Sequence, residues 1–147
     1  MILIETATID AIIARLKSFL PAKMTESVIP YPDRPEEMTK DVLTAKHPDG
    51  AFLMKYIESE SAGSEVMIFG VYVLAEGLVQ TSKLTRAAKV IVNGLAPFSG
   101  HKLTLHKDQE IKEEGGVVLR CITFALPNPT MPLSDSKIAA KIAELEI

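Results

Sequence analysis

The run Val66-Met67-Ile68-Phe69-Gly70-Val71-Tyr72-Val73-Leu74-Ala75 is apolar on both of its alternating faces, and residues 51–57 come close to the same pattern. A strand of this kind has to be buried on both sides. At about 3.3 Å per residue the longer run spans about 33 Å. That is most of the width, about 38 Å, expected of a domain this long, so the strand should pass through the middle of the fold. Two strong amphipathic helices are the main cover the sequence offers. If both lie on one side, the other side must be closed by the tail, by an extended arm or by another copy of the chain.

A chain of 147 residues fits one domain, 1–147, large enough to hold a core without staples. A formal net charge of −3 gives no electrostatic footprint for nucleic acid. Cys121 is alone and lies in an apolar strand, so it reads as a buried, inert thiol in a reducing compartment. The opening Met1-Ile2-Leu3-Ile4-Glu5 has no basic n-region, and no apolar run has the roughly 18 residues a membrane span requires. A soluble, cytoplasmic protein with no membrane partner is expected.

Helical spacing of Ile9, Ile12, Ile13, Leu16, Phe19 and Leu20 predicts a first helix, capped by Thr6 or Thr8 and stopped by Pro21. Residues 22–50 follow, with Pro30, Pro32, Pro35 and Pro48 among charged residues and a possible short strand at Val42-Leu43-Thr44-Ala45. So long a connection is either an extended segment wrapped on the surface or an arm reaching a neighbouring subunit. The turn His47-Pro48-Asp49-Gly50 leads into a hairpin of strands 51–57 and 65–76 with a polar tip, Glu58 to Ser64. Thr81-Ser82 is read as the cap of a second helix, 83–92, ended by Asn93-Gly94. A second hairpin pairs 102–111 with 117–126, and a short helix in 134–147, capped at Ser134-Asp135-Ser136, carries Ile138, Ile142 and Leu145. The expected fold is α+β, an antiparallel or mixed sheet of about four to five strands. Two main helices pack on one side, with a short C-terminal helix besides.

Candidates for chemistry are sparse. His101 and His106, five apart on an expected strand, point to opposite faces, and no Cys pair or paired-His helix spacing suggests zinc. The serines lie in a flexible tip, without a nucleophile elbow. No catalytic residue, cofactor or metal is therefore expected. Lys83, Arg86 and Lys89 recur at helical spacing opposite the apolar stripe, a solvated face or a site for an acidic partner such as Glu58, Glu60 and Glu65 of a neighbouring subunit. As nucleic-acid contacts they lack interleaved aromatics. Tyr31 and Arg34, on the proline-rich segment, are further candidates for a subunit or partner interface, and with His47 they mark where a small-molecule or enzymatic site could sit, between the sheet and residues 22–50.

The order of elements resembles the small tail-completion, or tail-terminator, proteins of Mu-like phages and prophages. The matching pieces are the opening helix ending at Leu20, the proline-punctuated link, and Asp49-Gly50 leading into Ala51-Phe52-Leu53-Met54-Lys55-Tyr56. The long strand to Ala75, the helix closing at Asn93-Gly94-Leu95 and the last hairpin ending at Leu126 complete the pattern. The proline-rich run and the Glu-Ser-Glu-Ser tip do not align with it. The resemblance implies a non-enzymatic structural subunit that forms a homo-oligomeric ring, commonly of six, capping the tail tube and offering a surface for head joining. It would occupy the bacterial cytoplasm and, in an active phage, the virion tail.

Overall fold

A computed structural model describes residues 3–34, 40–61, 65–127 and 135–147. It has the expected α+β class. The first helix, α1 (Ile4–Phe19), is followed by a 3-10 turn (Ala22–Ser27), a short strand β1 (Val28–Pro30) and a helix α2 (Lys40–Lys46). Strands β2 (Ala51–Ser61) and β3 (Glu65–Glu76), helix α3 (Leu78–Val92), strands β4 (Thr104–Glu114) and β5 (Val117–Pro127), and helix α4 (Asp135–Glu144) complete it. The five strands form one mixed sheet in the order β1-β2-β3-β5-β4, with β1 parallel to β2 and the other pairs antiparallel.

The twofold pattern of β3 sorts the residues. Met67, Phe69, Val71, Val73 and Ala75 share one face, and their partners on β5 are Leu126, Phe124, Ile122, Arg120 and Val118. On β2 the same face carries Phe52, opposite Val73, and Met54, opposite Val71. Both main helices close this face: Ile12 and Leu16 of α1, and Leu84, Ala88 and Val92 of α3, join one buried cluster with Phe52, Phe69 and Phe124. Fully burying an aliphatic or phenylalanine side chain contributes roughly 1.5–3 kcal/mol, so this layer holds the fold.

The second face is not left bare. Ala51, Leu53 and Leu74 are buried there, with Ile29, Tyr31, Tyr72, Val117 and Leu119 half-buried against them. Ile68, Cys121 and Thr123 on this side are buried too. Part of the cover comes from β2 itself. A bulge between Tyr56 and Glu58 breaks its register, and the Ile57 side chain lies so close over Gly70 that a Cβ there would sit 2.8 Å from its Cδ1. The chain after β1 supplies more, through Tyr31 stacked edge-on against Tyr72 with ring centres 4.8 Å apart. Of the three covers expected for this face, the segment that follows the first helix is the one seen here, so a second copy is not required to close it. A single chain buries most of both faces, because the bulged strand and the segment after β1 turn back over the second one.

Other boundaries differ for local reasons. No side chain caps α1, whose N-cap is Leu3; Thr8 is instead buried inside the helix. Phe19, at the end of the predicted stripe, is exposed, with the Arg15 guanidinium 4.7 Å from its ring centre. Residues 42–45 belong to α2, not to a strand. Helix α3 begins five residues before the expected Lys83, at the sharp positive-φ turn of Gly77, and Thr81 is not its cap but donates back to the Gly77 carbonyl. Gly94, with φ of +86°, ends it as expected. Strand β2 runs on through Glu58 and Glu60, so the polar tip is shorter than predicted. The predicted cap at Ser134, the tip residues 62–64 and Pro35 lie outside the described residues.

Two features of this frame have measurable consequences. Gly50 has φ of +97°, and a Cβ on it would meet Leu84 Cδ1 at 2.6 Å and the Leu74 carbonyl oxygen at 3.0 Å. Gly50→Ala should cost about 2–4 kcal/mol, from left-handed strain and overpacking together, seen as a lower urea midpoint. Conversely, the buried hydroxyls of Thr8 and Thr85 meet no hydrogen-bond partner among the described residues. Thr8→Val and Thr85→Val should each stabilise by about 1 kcal/mol, raising Tm by roughly 2–4 °C.

Candidate interaction surface

The buried stripe of α3 consists of Thr81, Leu84, Thr85, Ala88 and Val92. Helical geometry therefore turns Val79, Lys83, Arg86 and Val90 outward, three to four residues apart along one line. Leu78 and Val79 are 67% and 72% exposed. With Ser82, Lys83 and Arg86 they line an open groove of about 380 Å³. The early start of α3 is what puts two aliphatic side chains beside the two cations. Predicting the helix from Lys83 onward hid them.

The third cation of the expected stripe behaves differently. Lys89 reaches toward the sheet and meets Asp108 of β4, Nζ to Oδ2, at 2.5 Å. Arg120 of β5 donates to the other carboxylate oxygen from Nη2 at 2.9 Å and from Nε at 3.2 Å. Asp108 lies opposite Ile122 in the register, and so on the helix-covered face. Partial burial alone would raise its carboxyl. The hydrogen bonds from Lys89 and Arg120 outweigh that and hold its pKa below the ordinary value. Lys89 thus ties α3 to the far edge of the sheet.

The acidic candidates are dispersed. Glu58 and Glu60 project from the second face of β2 and are exposed. Glu60 Oε1 lies 4.0 Å from Nε2 of His106, an ion pair when the imidazole is protonated. His106 is the extra residue of a bulge in β4, between Leu105 and Lys107. Strands β2 and β4 are three places apart in the sheet, about 14 Å if it were flat, so this contact spans the two strands between them. Glu65 begins β3 opposite Ser61.

Tyr31 and His47 do not converge on one site. Tyr31 donates its backbone N–H to the Met54 carbonyl at 2.7 Å, prolonging the β1–β2 pairing. The Lys55 ammonium lies 4.5 Å from the Tyr31 ring centre and 5.2 Å from that of Tyr72. Burial pushes the Tyr72 hydroxyl far above its ordinary pKa, with Cys121 and Tyr31 adding to the effect. Burial likewise raises the Cys121 thiol, although Tyr72 and Lys55 oppose it. A thiol held protonated and out of solvent is a poor nucleophile. At the other end of β1, His47 is buried and its Nδ1 lies 2.9 Å from the Ser27 hydroxyl. Burial, then the Lys46 charge, lower its pKa, so the ring is held toward the neutral form. Lys23 pairs with Asp49 at 3.6 Å, and Gln80 donates to the Asp49 carbonyl at 2.8 Å. These contacts fasten the 47–50 turn between the 3-10 segment and α3. Arg34 is exposed.

His101 lies outside β4 and forms an isolated bridge with Phe98. Among the described residues no group of three or more His, Cys, Asp or Glu side chains is arranged to hold a metal ion. No helix among them is long and apolar enough to cross a membrane. In comparison with known proteins, no family model matches the sequence, and a search of curated proteins returns no match.

The Lys89–Asp108–Arg120 cluster can be tested through acid stability. Asp108→Asn should cost on the order of 1 kcal/mol at pH 7, since all three groups keep partial solvent contact. The Asp108 pKa is depressed in the folded state, so its contribution is complete above the unfolded value of about 3.9. It is lost as pH falls through the folded value. Urea midpoints of the wild type and variant should therefore differ at neutral pH and converge on acidification below about pH 4.

Proposed function

We propose that this chain is a structural subunit of a phage or prophage tail, forming a homo-oligomeric ring that completes the tail tube. The sequence pattern that resembles tail-terminator proteins suggests the role, and the α+β frame is the class that resemblance implies. The observation that carries the reading is where the fold leaves its apolar side chains. Leu78, Val79 and Val90 stand out on α3, Ile138 and Ile142 on α4, and Leu105 and Ile111 on the edge strand β4. Apolar groups left on the outside of such a core mark contact surfaces when they gather in patches. Surfaces on unlike elements suit a head-to-tail contact, which closes into a ring when the rotation between neighbours allows. Tail-tube and head-joining proteins would then meet the two ends of the ring.

Native mass spectrometry and light scattering across micromolar to millimolar concentration should show a discrete cyclic oligomer, with rings visible by negative-stain microscopy. Neighbouring genes for tail sheath, tube or tape-measure proteins would agree with the role. A particle that stays monomeric at millimolar concentration would sink the proposal. If such a monomer also gained thermal stability from one member of a metabolite panel, the small-molecule or enzymatic alternative would take its place.

A further inference from the structure

Helix α4 has the sequence Asp-Ser-Lys-Ile-Ala-Ala-Lys-Ile-Ala-Glu and gathers its apolar residues on one side. Every α4 side chain that is described is nevertheless exposed, Ile138 at 45% and Ile142 at 52%. An isolated helix shorter than about 12–15 residues is marginal in water. A helix of ten residues with an amphipathic face is therefore expected to gain order from whatever covers that face. Asp135 belongs to the same face, one turn before Ile138 and Ala139.

The outer stripe of α3 offers the complement. Val79 and Val90 place apolar side chains near its two ends, Leu78 widens the first, and Lys83 and Arg86 lie between them. The stripe from Val79 to Val90 is about 16 Å long and α4 about 15 Å, at 1.5 Å per residue. With Asp135 set against Lys83 and Arg86, an antiparallel α4 would run off toward the first end of the stripe, where Ile138 and Ile142 would meet Val79 and Leu78. We propose that α4 of one copy docks on the outer stripe of α3 of the next, and that this is the head-to-tail contact between subunits. The inference rests on the ring reading above and names the surfaces that make it. Each subunit gives one helix and receives another, so a pair of subunits always leaves one of each unused.

That asymmetry provides the test. Two full-length variants are prepared, Ile138→Asp with Ile142→Asp on α4, and Val79→Asp with Arg86→Glu on α3. All four positions are exposed, so each variant should stay folded, with a circular dichroism spectrum and Tm that match the wild type diluted until it dissociates. Native mass spectrometry should show each variant alone as a monomer, and an equimolar mixture as a one-to-one heterodimer that grows no further. Asp135→Lys introduced into an Arg86→Glu chain should restore oligomers that Arg86→Glu alone weakens. Full-size oligomers from either double variant by itself would overturn the proposal while leaving the ring reading intact. Persistence in the α3 variant alone would identify pairing of α4 with α4. A wild-type chain that never assembles would remove the ring reading as well.

Discussion

The β3–β5 pair is the constraint on which the remaining structure depends. Its register runs unbroken from Val66 opposite Pro127 to Glu76 opposite Val117, with apolar side chains on both faces for nearly its whole length. A slip by one residue would exchange the two faces. Here the exchange is penalised by what each face meets. Phe69 and Phe124 fit beneath the helices with Ile12 and Leu16, whereas Tyr72 and its register partner Cys121 lie on the opposite face, with the Lys55 ammonium 5.2 Å from the Tyr72 ring centre. The interior of the sheet thus has a large-residue layer under the helices and a mixed layer opposite.

Much of this was legible in the residues. The twofold pattern of 66–75 named the central strand, 117–126 was read as a strand of the second hairpin, and the helical spacing of Ile12 and Leu16 named one of the helices that cover the sheet. What sequence periodicity could not show was curvature. The bulge at Ile57 and the return of the chain at Tyr31 are single-residue events with no periodic signal, yet they decide whether the second face is open. The start of α3 was missed for a related reason. Gly77 carries no side chain to announce a cap, and Thr81-Ser82 resembled one strongly enough to shift the boundary.

Charged residues were harder to place than apolar ones. Lys83, Arg86 and Lys89 are equivalent by spacing, but only Lys89 has Asp108 and Arg120 within reach. That distinction needs the β4–β5 register, because Asp108 is brought under α3 by strands that follow the helix in the chain. His47 shows the same dependence. A histidine beside a proline in a turn was a candidate for a site between the sheet and residues 22–50, but β1 lies alongside the start of β2 and sets Ser27 within hydrogen-bond reach of it. In both cases the polar group fastens a connection and does not line an open site.

The bulges of β4, at His106 and again between Glu110 and Lys112, interrupt the free rim of the sheet. A smooth rim of eleven residues would be a template on which further chains could add strand by strand without limit, the geometry of a fibril. At the opposite rim β1 is only three residues long and ends in Pro30, whose nitrogen has no hydrogen to donate. Strand-by-strand addition is thereby hindered at both rims, which favours contacts made by side chains, able to specify a partner and to stop at a finite number.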